Sequence, residues 1–79
     1  MKVQIITPEK YLYDGEATAV IFPGEEGYFS VHDHHAPMIA ALKYGEIRLE
    51  SKAGKQEFVI MSGVCEINKN NVIICVNEY

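Results

Sequence analysis

The chain has 79 residues, 48% of them apolar, with seven Lys or Arg against eleven Asp or Glu and a net charge of −4. That length admits one domain, residues 1–79, with one modest core that buries about 60% of the unfolded surface, and the apolar content is too high for disorder. The basic residues from Lys2 to Lys69 stand singly among acids, which argues against nucleic acid or anionic lipid as a direct partner.

The opening MKVQIITPEK has no long apolar core, so it reads as a strand and not as a signal peptide. Lys2 to Thr7 is apolar and β-branched, and Pro8 stops it because proline cannot donate to a ladder. Lys10–Tyr13 is a short piece whose tyrosines, Tyr11 and Tyr13, share a face at period two. Asp14-Gly15 reads as a two-residue hairpin turn. Glu16 to Phe22 is then its return strand, apolar on both faces near its end and so expected to be covered on both sides.

Pro23-Gly24-Glu25-Glu26-Gly27 reads as a tight acidic loop, and Tyr28 to Val31 as a short strand. His32 to Pro37 is expected to be irregular, because Pro37 biases Ala36 away from helix. Met38 to Leu42 is read as a strand, since too few residues precede Tyr44-Gly45 for a helix. Glu46 to Ser51 alternates, with Ile47 and Leu49 inward. Lys52-Ala53-Gly54-Lys55 is a hairpin loop, and Gln56 to Met61 a strand that Ser62-Gly63 breaks. Val64 to Ile67, a turn at Asn68-Lys69-Asn70-Asn71 and a fully apolar strand Val72 to Val76 complete the chain. No helical period survives for ten residues, and no apolar run reaches the roughly 18 residues of a membrane helix. The fold expected is all-β, an antiparallel sandwich or flattened barrel of eight to ten short strands.

Cys65 and Cys75 both lie in apolar runs. A disulfide between neighbouring strands is open to them, but without a secretion signal two buried reduced thiols are the reading preferred. His32, Asp33, His34 and His35 could begin a metal site, as imidazole and carboxylate suit zinc, iron or manganese. His32 and His34 have the one-residue spacing of a cupin pair, yet Met38 and Ile39 stand where its glutamate should be, so the ligand set is incomplete. The plainer reading leaves His32 and His34 in solvent and His35 held by local hydrogen bonds. Ser62 lacks the first glycine of a nucleophile elbow, Glu25-Glu26 sits in a solvated turn, and the surrounding glycines form no phosphate cradle. The tyrosines lack the basic neighbours of a base-stacking surface and suit core rims and interfaces. The residues therefore favour a binding or structural role over an enzyme, with a metal- or ligand-binding sandwich centred on His32, His34 and His35 as the alternative.

Read as a linear pattern, Phe22-Pro23-Gly24-x-x-Gly27-x-Phe29, followed by His35-Ala36-Pro37-Met38-Ile39-x-x-Leu42-x-x-Gly45-x-Ile47-Arg48, resembles the epsilon subunit of the rotary F-type ATP synthase. Ile5-Ile6-Thr7-Pro8-Glu9, Tyr13-Asp14-Gly15-Glu16, Ser62-Gly63-x-x-Glu66-Ile67 and Asn71-x-Ile73 match its flanks in order and spacing. Ser30 replaces a usual glycine, His32-Asp33-His34 a usual leucine/tyrosine-Pro-Gly, and Val64-Cys65 a frequent glycine-phenylalanine/isoleucine pair. Most of the family also continues into two C-terminal helices, whereas this sequence ends at Tyr79. The resemblance implies a non-catalytic central-stalk subunit that couples c-ring rotation to gamma, peripheral to the cytoplasmic side of a bacterial plasma membrane. It implies that the Glu25–Phe29 loop faces the c-ring and that the neighbourhood of His35 faces gamma, with Glu26, Tyr28, His32 and His35 as contact candidates. His35 also suits a purely structural role within its own turn. The helices carry inhibition and, in some members, a nucleotide site, so coupling without inhibition, ATP binding or any cofactor is expected of these residues.

Overall fold

The computed structural model describes residues Met1–Tyr79. It has eight strands and no helix: β1 Lys2–Ile6, β2 Tyr11–Glu16, β3 Ala19–Gly24, β4 Gly27–His32, β5 Met38–Leu42, β6 Gly45–Ser51, β7 Gly54–Asn68 and β8 Asn71–Glu78.

The long strand β7 organises the rest. Its first half pairs with β6 and its second half with β5 on one side and β8 on the other. One layer is therefore β2-β1-β8-β7-β5 and the other β7-β6-β3-β4, and a single bridge between Gly24 and Leu42 joins β3 to β5 and closes a flattened barrel. Every pairing is antiparallel except β1 with β8, which run parallel in register from Lys2 opposite Asn71 to Ile6 opposite Cys75. Alternation explains the core: Val3 and Ile5, Val20 and Phe22, Ile47 and Leu49, and Val72, Ile74 and Val76 all point inward and are buried. Phe22 stacks obliquely on Phe29 at 5.3 Å between ring centroids.

Four expectations need correction. Asp14-Gly15 is no turn but lies inside β2, where Gly15 pairs with Val3 and Asp14 with Gln4. The turn comes earlier, because the buried Thr7 hydroxyl accepts the Glu9 and Lys10 N–H groups and so folds β1 back onto β2. Tyr11 and Tyr13 also part company: the register slips between Ile5 and Ile6, leaving Tyr11 exposed and Tyr13 packed against the core. Ser62-Gly63 does not end a strand; an irregularity between Ile60 and Ser62 lets β7 change layers without stopping. The cysteines do not share an environment. Cys65 is opposite Ile74 and buried, whereas Cys75 is opposite Val64 and exposed. One step of register turns the two thiols to opposite faces, and neither is in a disulfide.

Candidate functional site

The four contact candidates fall at the two ends of β4. Glu25 and Glu26 form the exposed two-residue turn between β3 and β4, closed by the Gly24–Gly27 pair. Gly27, at φ 128°, takes a backbone shape that side-chain-bearing residues rarely adopt. Tyr28 follows, 57% exposed, with its hydroxyl close to Gly45 and accepting the Glu46 N–H at 3.3 Å. Beside it, Tyr44 and Tyr79 meet edge to face at 5.5 Å. The Pro23 carbonyl accepts the Lys43 N–H and the Glu25 N–H reaches the Ala41 carbonyl, so the acidic turn and the β5–β6 turn form one surface.

His32 ends β4 opposite Ala19, at the other end of the hairpin. Five strand steps from Gly27 place it about 17 Å away. Asp33 and His34 make the following turn, and His35 beyond it is half-buried, its Nδ1–H donating to the Ala36 carbonyl at 2.7 Å. Asp33 binds the Met1 α-ammonium at 2.6 Å, and the same ammonium donates to the Ala17 carbonyl. The hydrogen bond from the Met1 ammonium to the carboxylate, more than any other influence, holds the Asp33 carboxyl below its ordinary range. His32 and His34 are exposed, and no group of three or more His, Cys, Asp or Glu is disposed to hold a metal ion. The metal-centred alternative has no support here.

A third feature escaped the linear pattern. The outer face of the first layer carries a row of Ile6, Cys75, Val64 and Ala41, side by side on four strands. The next row runs Gln4, Ile73, Glu66 and Ile39, and Ile39 is 72% exposed. In the sequence these residues look like the second buried face of doubly covered strands. Which of these residues face outward is set by the pairing register, which no local pattern prints.

Burial pushes the Cys65 thiol up, and Ser62 bonds only to Asn77. What the molecule presents is an acidic, aromatic-rimmed turn, a histidine turn and an apolar sheet face. This is a small β-sandwich domain. The comparisons define the kind. Residues 1–79 match the family model for the ATP synthase Delta/Epsilon chain, beta-sandwich domain, and the chain belongs to that family. It is 40% identical to the ATP synthase epsilon chain of Chlorobium limicola, over 98% of this chain and 89% of that one. It is 38% identical to the chloroplastic epsilon chain of Cyanidioschyzon merolae, over 98% of this chain and 59% of that one. A chain from the Euglena gracilis mitochondrial ATP synthase (OSCP/F1/c-ring) superposes with a TM-score of 0.89 at 23% identity, covering 96% of this chain and 49% of that chain. One from the central stalk/c-ring of the Tetrahymena thermophila enzyme gives 0.85 at 15% identity, over 98% and 63%. At those identities both show the shared fold.

Proposed function

We propose that residues 1–79 act as one non-catalytic domain of the central stalk of a proton-translocating F-type ATP synthase, coupling c-ring rotation to gamma. The carrying observation is the placement of the two contact groups at opposite ends of one continuous hairpin, Glu26 and Tyr28 at one end and His32 and His35 at the other. A hairpin whose backbone is paired along its length resists bending, so a push received at one end is delivered at the other. In this reading the c-ring meets the Glu25–Phe29 turn and gamma meets the His35 turn. The exposed apolar face extends the gamma surface, because Ile39 follows His35 by four residues. The domain sits on the cytoplasmic side of a bacterial plasma membrane and touches the bilayer only through the ring. These residues alone couple without inhibiting hydrolysis and without binding ATP.

Co-purification with gamma from the same source tests the reading. A stoichiometric complex is expected, weakened by His35→Ala and by Ile39→Glu. Failure to bind gamma at micromolar concentration would refute it. Calorimetry with ATP is expected to give no heat of binding.

A further inference from the structure

This inference rests on gamma docking at the His35 turn. The shape of that turn is not fixed by its own residues. His34 sits at φ 64°, in the left-handed region that a residue carrying a Cβ disfavours, at the point where the resemblance sets glycine. The turn therefore has to be held from outside. Two holds are present, each from a distant part of the chain. The Asn70 side-chain oxygen accepts the His34 N–H at 2.9 Å, across 36 residues. The Asp33 carboxylate, one residue earlier, takes the Met1 nitrogen at 2.6 Å. Asn70 is itself rigidly placed: Lys69 and Asn70, at φ 51° and 62°, form the two-residue turn between β7 and β8. Its own carbonyl accepts the Lys2 N–H at 3.1 Å. The start of β1, the β4–β5 turn and the β7–β8 turn thus meet at one knot, and the only reach into the His34 backbone is the Asn70 side chain.

We propose that Asn70, seconded by Asp33, is a positioning residue for gamma docking: its side chain latches His34 in the left-handed shape and thereby sets where His32 and His35 are presented. The latch makes no contact with the partner. It substitutes a long-range hydrogen bond for the conformational freedom that a glycine would supply locally.

The test uses three variants of the full chain: Asn70→Gly, which removes the side-chain oxygen while tolerating the left-handed turn, His34→Gly, and the two combined. The first readout needs no partner. Hydrogen exchange at the His34 amide, followed by NMR, is expected to be at least about tenfold faster in Asn70→Gly, since that amide loses its acceptor. The second readout is affinity for gamma by calorimetry, expected to fall about tenfold, or roughly 1.4 kcal/mol. In the double variant the turn adopts its shape unaided, so gamma affinity returns to near the parent value. Unchanged His34 exchange in Asn70→Gly would overturn the latch whatever gamma does. Faster exchange with unchanged affinity would instead overturn the docking of gamma at this turn, and the positioning role with it. A double variant that binds as poorly as Asn70→Gly would also overturn the proposal, because Asn70 would then act by some route other than the His34 backbone. Where Asn70→Gly lowers the thermal midpoint of the whole chain, His34 exchange is read against that of a core amide such as Ile74: a rise confined to the His34 turn is expected, and an equal rise at both overturns the proposal.

Discussion

Replacing Gly45 with alanine attacks the acidic, aromatic end of the molecule at one atom. The added Cβ would lie 2.7 Å from the Pro23 Cβ and 2.7 Å from the Tyr28 hydroxyl oxygen, both inside van der Waals contact. The two neighbours answer differently. Tyr28 is exposed and swings away, giving up the Glu46 N–H that it accepts at 3.3 Å. Pro23 is buried, with its carbonyl bonded to the Lys43 N–H, so the backbone around it must shift. Overpacking of this kind costs about 1–3 kcal/mol, and the lost hydrogen bond adds about 0.5–1.5 kcal/mol. The mid-range values sum to about 3 kcal/mol, a large share of the roughly 5–15 kcal/mol available to a small domain. At about 4–8 °C per kcal/mol, the thermal midpoint falls by roughly 12–24 °C. Circular dichroism during heating measures it. On a Tyr28→Phe background the hydroxyl contact is gone, and the same substitution is expected to cost about 0.5–1 kcal/mol less. A midpoint within about 2 °C of the parent would refute the reasoning, since the close approach of Pro23 and Tyr28 would then carry no energy.

The thiols should differ in the native protein: iodoacetamide labels Cys75, which is exposed, while Cys65, buried and with its thiol pushed up, reacts only on unfolding, as mass spectrometry of the alkylated chain would show. Strong acid should loosen the histidine turn. The Asp33 carboxyl is held below its ordinary value of 3.8, so its contribution is complete above that value and lost as pH falls through the depressed folded-state pKa. Chemical shifts of the turn followed from about pH 5 to about pH 2 report this, and Asp33→Asn should flatten the response. Ile74→Ala, which empties a fully buried site between the layers, is expected to cost about 2–5 kcal/mol in denaturant unfolding. Glu26→Lys, on an exposed turn, is expected to leave the thermal midpoint within about 3 °C while weakening retention of the domain on isolated c-rings.

Period-two alternation carried most of the fold into view. Glu46–Ser51 alternates in the sequence and emerges as β6 with Ile47 and Leu49 buried as expected. The Lys52-Ala53 turn and the Glu25-Glu26 turn also emerge where glycine marks them. What stayed hidden depends on pairing partners far away in the chain. Asp14-Gly15 has the composition of a turn, but β1 supplies a ladder for it and the Thr7 hydroxyl makes a better turn nearby. Val72–Val76 is apolar throughout, so its residues alone could not say that Ile73 and Cys75 face solvent while Val72, Ile74 and Val76 face the core. The parallel β1–β8 pair had no local signature at all, being a contact between the two ends of the chain. Of the candidate site, the linear resemblance located the acidic turn and the histidine turn. Their separation along β4, the apolar face and the Asn70 hold on His34 became visible only with the strands in place.

The parallel pairing of β1 with β8 also has a consequence for synthesis. β1 lies between β2 and β8, and Lys2–Ile6 finds the second neighbour only in Asn71–Glu78, the last strand to be made. Until then the nascent chain offers β1 and β2 as an isolated two-stranded hairpin, marginal in water, with one flank of β1 unpaired. Such end-to-end closure slows folding into the millisecond-to-second range. Asn71–Glu78 therefore seals the sheet, and until it is made the flank of β1 stays an open edge whose backbone groups can pair with another free strand.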